Sequence, residues 1–168
     1  VAQIYVQPGT QVKAGQPLVQ IDPDEQQASV SGAVAAAAAA RAQVATAQAT
    51  LRSLRAERQA TLSDLRLSQE QYKRYSALAG QGAVSRETRD QYYNQLQTAR
   101  ANLNAIDKQI EAQTSAVAQA QQAVQQAEAN TNQARVQLQY FQVNAPFAGT
   151  VGAIPVKVGD LVTPSTQL

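Results

Sequence analysis

The chain has 168 residues and a formal net charge of +2, from 14 basic and 12 acidic side chains, and it contains neither cysteine nor histidine. This composition excludes thiol- and imidazole-based catalysis and metal binding, and the interspersed charges offer no continuous phosphate-binding stripe, so we expect no nucleic-acid partner. Leu, Ile, Val and Phe make up only about a fifth of the residues, which favours helices meeting along a thin seam over a thick core.

The sequence contains no methionine, and we see no signal peptide and no apolar run long enough to span a bilayer. We therefore expect the chain to be an internal segment of a longer protein.

Both ends of the chain combine short apolar runs with proline and glycine, which is typical of small strands joined by tight turns. Five residues of the first end recur at a constant offset of 150 positions. They are Ile4, Val6, Gly9, Val12 and Leu18, which return as Ile154, Val156, Gly159, Val162 and Leu168. The repeat predicts two similar half-sheets that close on each other into one small sandwich, because neither half could bury its apolar face alone.

The segment between the ends reads as two long helices. Asp22 is a candidate N-cap, and Pro23 suits the first helical position. Apolar and small residues then recur at alternating spacings of three and four, which predicts a heptad seam in each helix. The predicted seam comprises Val30, Ala33, Ala37, Ala40, Val44, Ala47, Leu51, Leu54, Leu65, Tyr72 and Tyr75 in the first helix, and Tyr92, Leu96, Ala99, Leu103, Ile106, Ile110, Val117, Ala120, Val124, Ala127, Ala134, Leu138 and Phe141 in the second.

Five polar residues interrupt this seam: Arg58, Thr61, Ser68, Gln113 and Thr131. The two helices have similar lengths, and each would extend about 80 Å at 1.5 Å per residue. An antiparallel hairpin with equal arms brings its two ends together, where the two half-sheets must meet. The repeat and the helices therefore predict the same arrangement.

The turn of this hairpin is predicted near residues 80–84. Gly80 and Gly82 stop the first helix, because glycine accepts the left-handed conformation that a helix end requires. Ser85 is positioned to cap the second helix through its hydroxyl. Among the four tyrosines near the turn, Tyr72, Tyr75 and Tyr92 fall on the seam, whereas Tyr93 falls off it and is the tyrosine we predict to contact a partner.

At this point the chain resembles the periplasmic adaptor proteins, or membrane fusion proteins, of the HlyD-like family. Its ends resemble the two halves of a lipoyl-like (biotinyl-like) domain, with residues 6–18 in the first half and residues 145–151 and 159–162 in the second. The family inserts an α-helical hairpin between these halves. Arg74, Leu78 and Ser85 resemble the Arg-x₃-Leu-x₆-Ser pattern at the family's hairpin tip, which is associated with docking to an outer-membrane channel of the TolC kind.

The resemblance implies an α+β fold in which a long antiparallel two-helix coiled-coil hairpin is inserted into a small lipoyl-like β-sandwich. The lipoyl-like domain would comprise residues 1–22 and 142–168, and the hairpin residues 23–141. The channel-docking tip would comprise Arg74, Leu78, Ser85, Gly80, Gly82 and Tyr93.

The resemblance also implies a non-catalytic function, with no cofactor and no metal. The protein would link an inner-membrane transporter of the RND or ABC type to a TolC-like channel for the export of drugs, lipids or proteins. In this family the assembly is commonly a hexamer, so the resemblance implies a homo-oligomer. It would act in the periplasm, anchored to the inner membrane by a segment outside this chain.

Two alternatives remain open. The first is a lipoyl or biotinyl carrier domain, which the placement of Lys13 and Lys157 disfavours, because a carrier presents its lysine on the hairpin that the helical insertion replaces. The second is a purely structural coiled coil, which the repeated β ends disfavour. The carboxylates on the helices are isolated from one another, which indicates solvated helix surface and no acid–base pair.

Overall fold

Two long helices separate two groups of short strands in the computed structural model, which describes residues 1–162. Leu168, the last member of the predicted repeat, and the final residues of the predicted second half-domain lie outside the described residues. The elements are β1 (Gln3–Ile4), β2 (Gln11–Val12), β3 (Pro17–Gln20), α1 (Asp24–Gly80), α2 (Arg86–Gln139), β4 (Gln142–Asn144) and β5 (Gly149–Thr150). The predicted α+β fold class, with a helical hairpin between two β ends, is confirmed.

The chain divides into two compact units. The base unit comprises Val1–Ala39 and Val124–Leu168, and the hairpin unit comprises Ala40–Ala123. Both helices continue through the boundary between the units. No helix of the described residues is sufficiently long and apolar to cross a membrane.

The base unit contains two small antiparallel sheets, and each sheet combines strands from both ends of the chain. One sheet has the order β1-β3-β4, and the other pairs β2 with β5. In the second sheet Gln11 lies opposite Thr150, and Val12 lies opposite Gly149. The prediction of one half-sheet from each end was therefore wrong. A strand as short as β2 gains ladder hydrogen bonds only from a strand beside it, and here that strand comes from the other end.

The apolar core of the base also draws on both ends. Val6 and Val12 from the first end and Ala145 from the second are buried, and Leu18, Val151 and Ile154 pack against them. A cavity of about 240 Å³ adjoins this core, and no ionisable side chain lines it. The first and last segments thus form one folding unit, as the repeat predicted.

The repeat corresponds to reciprocal hydrogen bonds between the two ends. The backbone N–H of Gly9 donates to the carbonyl oxygen of Val151 over 2.8 Å, and the N–H of Gly159 donates to the carbonyl oxygen of Val1 over 3.0 Å. Donors and acceptors are each related by the offset of 150 seen in the sequence. Gly9 and Gly159 adopt similar left-handed conformations, with φ of +87° and +95°. The two ends are therefore related by a local pseudo-two-fold symmetry.

The turns that contain these glycines repeat the same side-chain bond. The N–H of Gln7 donates to the hydroxyl of Thr10 over 3.3 Å, and the N–H of Lys157 donates to the carboxylate of Asp160 over 2.8 Å. A hydroxyl and a carboxylate thus perform the same function at equivalent positions. This equivalence could not be recognised from residue identity.

The symmetry does not extend to the strands of the second end. Residues 151–162, where the sequence predicted short strands, contain no assigned strand. The counterpart of β1 in the repeat is 153–154, and the counterpart of its partner β3 begins at position 167, outside the described residues.

The hairpin unit is held by a seam at the predicted heptad positions. Leu65, Leu96 and Ala99 form a buried cluster, against which Tyr72 and Leu103 pack. Every predicted seam residue, in both units, is buried or half-buried. The heptad prediction is therefore confirmed over both helices.

Two of the polar interruptions of the seam have partners on the other helix. Arg58 forms an ion pair with Asp107 of the other helix. The side-chain amide of Gln113 donates to the carbonyl oxygen of Ala47 over 3.0 Å. Arg58 comes after Ala47 in α1, whereas its partner Asp107 comes before Gln113 in α2. The two helices therefore run antiparallel.

Candidate docking site at the hairpin tip

Backbone hydrogen bonds end α1 in a Schellman motif at the tip. The N–H of Ala83 donates to the carbonyl oxygen of Leu78 over 2.9 Å, and the N–H of Gly82 donates to that of Ala79 over 3.1 Å. Gly82 is left-handed, with φ of +72°, as this motif requires. Gly80, also predicted to be left-handed, is instead the last residue of α1 and has no positive φ. That part of the prediction was wrong, because the motif places only one residue in the left-handed region.

Ser85 caps the helix that leaves the tip. Its Oγ accepts a hydrogen bond from the N–H of Thr88 over 3.1 Å and lies 2.9 Å from the Thr88 hydroxyl. The predicted N-cap is therefore confirmed, although sequence reasoning did not identify Thr88 as its partner. Ser85 remains exposed, so its hydroxyl stays accessible at the surface of the tip.

Arg74 and Leu78 lie one helical turn apart on the same face of α1. Arg74 is exposed, and within residues 1–162 its guanidinium has no hydrogen-bond or ion-pair partner. Leu78 is half-buried. The face therefore offers a multidentate cation beside an apolar side chain, and neither side chain is fully used by the internal packing.

Two pairs of tyrosine rings join the helices below the tip. Tyr75 and Tyr92 stack with centroids 3.9 Å apart, and Tyr72 and Tyr93 meet at 5.5 Å with their planes inclined by 57°. The seam predictions for Tyr72, Tyr75 and Tyr92 are confirmed. Tyr93 is 45% exposed, so it retains surface for a partner while also packing on Tyr72, a contact that sequence reasoning missed.

The stacked pair also changes the acidity of one phenol. A hydrogen bond with the Tyr75 side chain raises the pKa of Tyr92 above its usual value, and burial and the neighbouring Tyr75 charge add to the effect. These factors favour the neutral form of the Tyr92 phenol.

Several helix carboxylates, read from the sequence as isolated, have basic partners. Asp90 pairs with Arg89, and Glu111 pairs with Lys108 one turn away. The Lys108 bond and charge lower the pKa of Glu111. In the described part of the chain no three acidic side chains lie close enough together to hold a metal ion.

The two lysines considered as carrier sites lie in turns of the base unit. The N–H of Lys13 donates to the side chain of Gln16, and that of Lys157 donates to Asp160. Both lysines are exposed.

The geometry thus brings Leu78, Gly80, Gly82 and Ser85 together at the turn. Arg74 lies one helical turn before Leu78, and Tyr93 lies farther along α2, on the side of the hairpin that carries the Tyr72 contact. The tip offers a cation, apolar surface, hydroxyls and backbone groups, which suit binding between proteins.

The family model described as the RND membrane fusion protein, barrel-sandwich hybrid domain, matches residues 1–168. The macrolide export protein MacA of Yersinia pestis is 30% identical over 165 residues, which cover 98% of this chain and 37% of MacA. The multidrug resistance protein MdtA of Pectobacterium carotovorum is 28% identical over 160 residues, covering 95% of this chain and 29% of MdtA.

Among solved structures, MacA from Actinobacillus actinomycetemcomitans shares 29% identity with a TM-score of 0.47, covering 98% of this chain and 42% of that one. The chain spans about a third of the length of the curated relatives that it matches.

Proposed function

Because the chain belongs to the membrane fusion protein family, the periplasmic adaptors, and carries the family's barrel-sandwich hybrid domain, we propose that it is the part of an adaptor that links an inner-membrane transporter to an outer-membrane channel. The hairpin tip docks on the channel, which is of the TolC kind. The role is non-catalytic, and the protein acts in the periplasm, anchored to the inner membrane through a part of the protein outside this chain.

The observation that carries the proposal is the state of Arg74. A guanidinium exposed beside a half-buried leucine, without a partner in the described residues, is available for carbonyl or carboxylate oxygens of another protein. Arginine is enriched among the few residues that contribute most of the binding energy at protein interfaces. The docking set is Arg74, Leu78, Ser85, Gly80, Gly82 and Tyr93, in which the two glycines and Ser85 shape the turn.

The names of the relatives favour drugs as the exported substrates over lipids or proteins. MacA is named as a macrolide export protein and MdtA as a multidrug resistance protein. The family description names RND pumps, so an RND transporter is the first candidate partner and an ABC transporter the second. We also propose that several copies, commonly six in this family, assemble side by side around a conduit.

The direct test is cross-linking from the tip. The chain contains no cysteine, so Gln81→Cys introduces a unique thiol on the exposed turn, to be cross-linked to a TolC-type channel in the full-length protein. A specific product is expected. A carrier domain or a purely structural coiled coil would give none, and mass spectrometry revealing a lipoyl or biotinyl adduct would favour the carrier.

Two substitutions test the individual contacts. Arg74→Asp should abolish the cross-link, whereas Lys13→Asp, an equal charge change at an exposed residue of the base unit, should retain it. Leu78→Ser should likewise abolish it, whereas Leu67→Ser, at an exposed leucine distant from the tip, should not. Circular dichroism must show unchanged helicity in all four. If the two members of either pair behave alike, the proposed contact is excluded.

A further inference from the structure

The seam divides the surface of the hairpin unit into two flanks. A residue immediately before a seam position and one immediately after it point about 100° to either side. In two antiparallel helices the positions before the seam lie on one flank of the pair, and the positions after it lie on the other. The Arg58–Asp107 and Tyr72–Tyr93 contacts both involve α2 residues that directly follow a seam residue, which places them on the second flank.

The first flank contains a groove of about 710 Å³, which we call the acid-lined groove. Its charged lining residues are Glu57 and Asp64 of α1, each immediately before a seam position. Side chains of α2 that alternate by three and four residues line the opposite wall, including Gln91, Gln95, Asn102 and Gln109. Within the described residues, neither carboxylate of the groove has a hydrogen-bond or ion-pair partner. The groove is thus acidic and rich in amide side chains, and within the described residues its two carboxylates have no partner.

The second flank carries the opposite charge, and we call it the basic flank. Five of its cations directly follow a seam position: Arg52, Arg55, Arg66, Lys73 and Arg100. All five are exposed, and in residues 1–162 none has an ion-pair partner. The acids on the same flank, Asp107 and Glu111, are already paired with Arg58 and Lys108.

The cations of the basic flank and the carboxylates of the acid-lined groove also lie at similar positions along the axis of α1. Arg55 lies two residues from Glu57, and Arg66 lies two residues from Asp64, which is about 3 Å of rise in each case. When two copies are related by rotation about an axis parallel to the helices, residues at the same position along the helix axis lie side by side. A second copy of this chain therefore presents Arg55 opposite Glu57 and Arg66 opposite Asp64 without any axial shift.

We propose that the basic flank of one copy docks in the acid-lined groove of the next, with Arg55 and Arg66 facing Glu57 and Asp64. The contact is heterologous, because the two copies use different surfaces, and repeated rotation closes such contacts into a ring. The charges determine register and partner orientation, and the glutamine and asparagine side chains supply adaptable hydrogen bonds. The inference rests on the proposed adaptor function, for which it defines the side-by-side contact between subunits.

Single cysteines on the two flanks test the contact in the purified chain. Gln69 directly follows a seam residue and lies on the basic flank, and Gln95 lines the acid-lined groove at the same height, since Tyr72 pairs with Tyr93 and Leu65 packs on Leu96. Oxidation of mixed Gln69→Cys and Gln95→Cys chains should give several-fold more disulfide dimer than either variant alone. Equal yields from the mixture and from either single variant would overturn the proposal.

Charge reversal supplies the specificity control. Arg66→Glu in the Gln69→Cys chain, or Asp64→Arg in the Gln95→Cys chain, should each suppress the mixed dimer, and both reversals together should restore it. Circular dichroism checks that every variant keeps its helices. A dimer yield insensitive to the reversals, or not restored by their combination, would exclude this pairing.

The outcome of the flank disulfide experiment is independent of channel docking. Cross-linking to the channel from Gln81→Cys reports on the tip alone, whereas the flank experiment contains no channel. A lost flank dimer with retained channel cross-linking removes only the proposed subunit contact. A retained flank dimer without channel cross-linking contradicts the adaptor function and leaves the contact between copies established.

Discussion

The rings of Tyr75 and Tyr92 stack across the hairpin with centroids 3.9 Å apart and planes inclined by only 12°. Each ring belongs to a different helix, and the pair lies just below the turn that carries the proposed docking residues. The stack therefore fixes the register of the two helices where the tip is presented.

We predict that Tyr75 and Tyr92 are energetically coupled. In a double-mutant cycle with leucine at both positions, the coupling should be about 0.5–1.5 kcal/mol, because stacked rings contribute beyond the area they bury. Urea unfolding followed by circular dichroism gives the free energies. Tyr75→Leu combined with Tyr140→Leu is the control: Tyr140 is 72% exposed in the base unit, so those two effects should be additive. Additivity of Tyr75 and Tyr92 would exclude the coupling.

The raised pKa of Tyr92 predicts a loss of stability at alkaline pH. Because the phenol ionises less readily in the folded chain than in the unfolded one, its contribution is complete below the ordinary tyrosine pKa of about 10. It should decline as the pH rises from there through the raised value. Unfolding free energies measured across this range should fall less steeply in Tyr92→Phe than in the unsubstituted chain. Identical slopes in Tyr92→Phe and in the unsubstituted chain would contradict the assignment.

The two glycines of the tip should respond oppositely to alanine. Gly82→Ala should cost about 1–2 kcal/mol, because a Cβ is disfavoured in the left-handed conformation. Gly80→Ala should stabilise α1 by up to about 0.5–1 kcal/mol, because Gly80 is helical and glycine is a poor helix former. A Cβ at either position meets no atom within 4 Å, so the comparison isolates the backbone. Thermal and urea unfolding measure both, and equal effects would show that the turn differs in solution.

Replacing a buried threonine of the seam by valine should stabilise the chain. The Thr131 hydroxyl is buried and donates only to Ala127 of its own helix, whose carbonyl keeps its backbone bond in the variant. Thr131→Val should therefore gain about 0.5–1 kcal/mol from the added apolar burial. Thr114→Val removes the same kind of bond, to Ile110, at an exposed position, and should be nearly neutral. The expectation fails if urea unfolding finds Thr131→Val less stable than the parent chain.

The local symmetry of the base predicts equal penalties at its two repeated glycines. Gly9→Ala and Gly159→Ala should each destabilise the base by about 1–2 kcal/mol, because both residues are left-handed. Gly152→Ala is the matched control, since this glycine has no positive φ and open space around it. Native-state hydrogen exchange of the base amides would report each effect separately. A large penalty at only one of the two glycines would contradict the equivalence of the two turns.

The seam was predictable from the sequence because burial in a two-helix pair follows directly from the spacing of three and four residues. Even Arg58 and Thr131, which broke the apolar pattern, occupy the positions that this spacing assigns to them. The N-cap at Ser85 was predictable for a similar reason, since capping depends on residues only a few positions apart.

The features that sequence reasoning missed depend on contacts between residues far apart in the chain, or on which backbone groups pair in a hydrogen-bonded turn. The pairing of β2 with β5 joins opposite ends of the chain, and no local pattern specifies which strand a short segment will join. Tyr93 contacts Tyr72 from a flank position because a long aromatic side chain reaches across the pair. The docking residues themselves stay predictions, because binding depends on a surface of another protein.

The reciprocal bonds of the base also determine the order in which the protein can fold during synthesis. Val1 donates to the carbonyl oxygen of Asp160, 159 positions later, so this closure must wait until both helices have left the ribosome. The helical pair needs only its own short turn to begin closing, and short closures have the lower entropic cost. Once the two helices have packed along their seam, they bring the beginning and the end of the chain together. The hairpin thus serves as the template on which its own base is assembled.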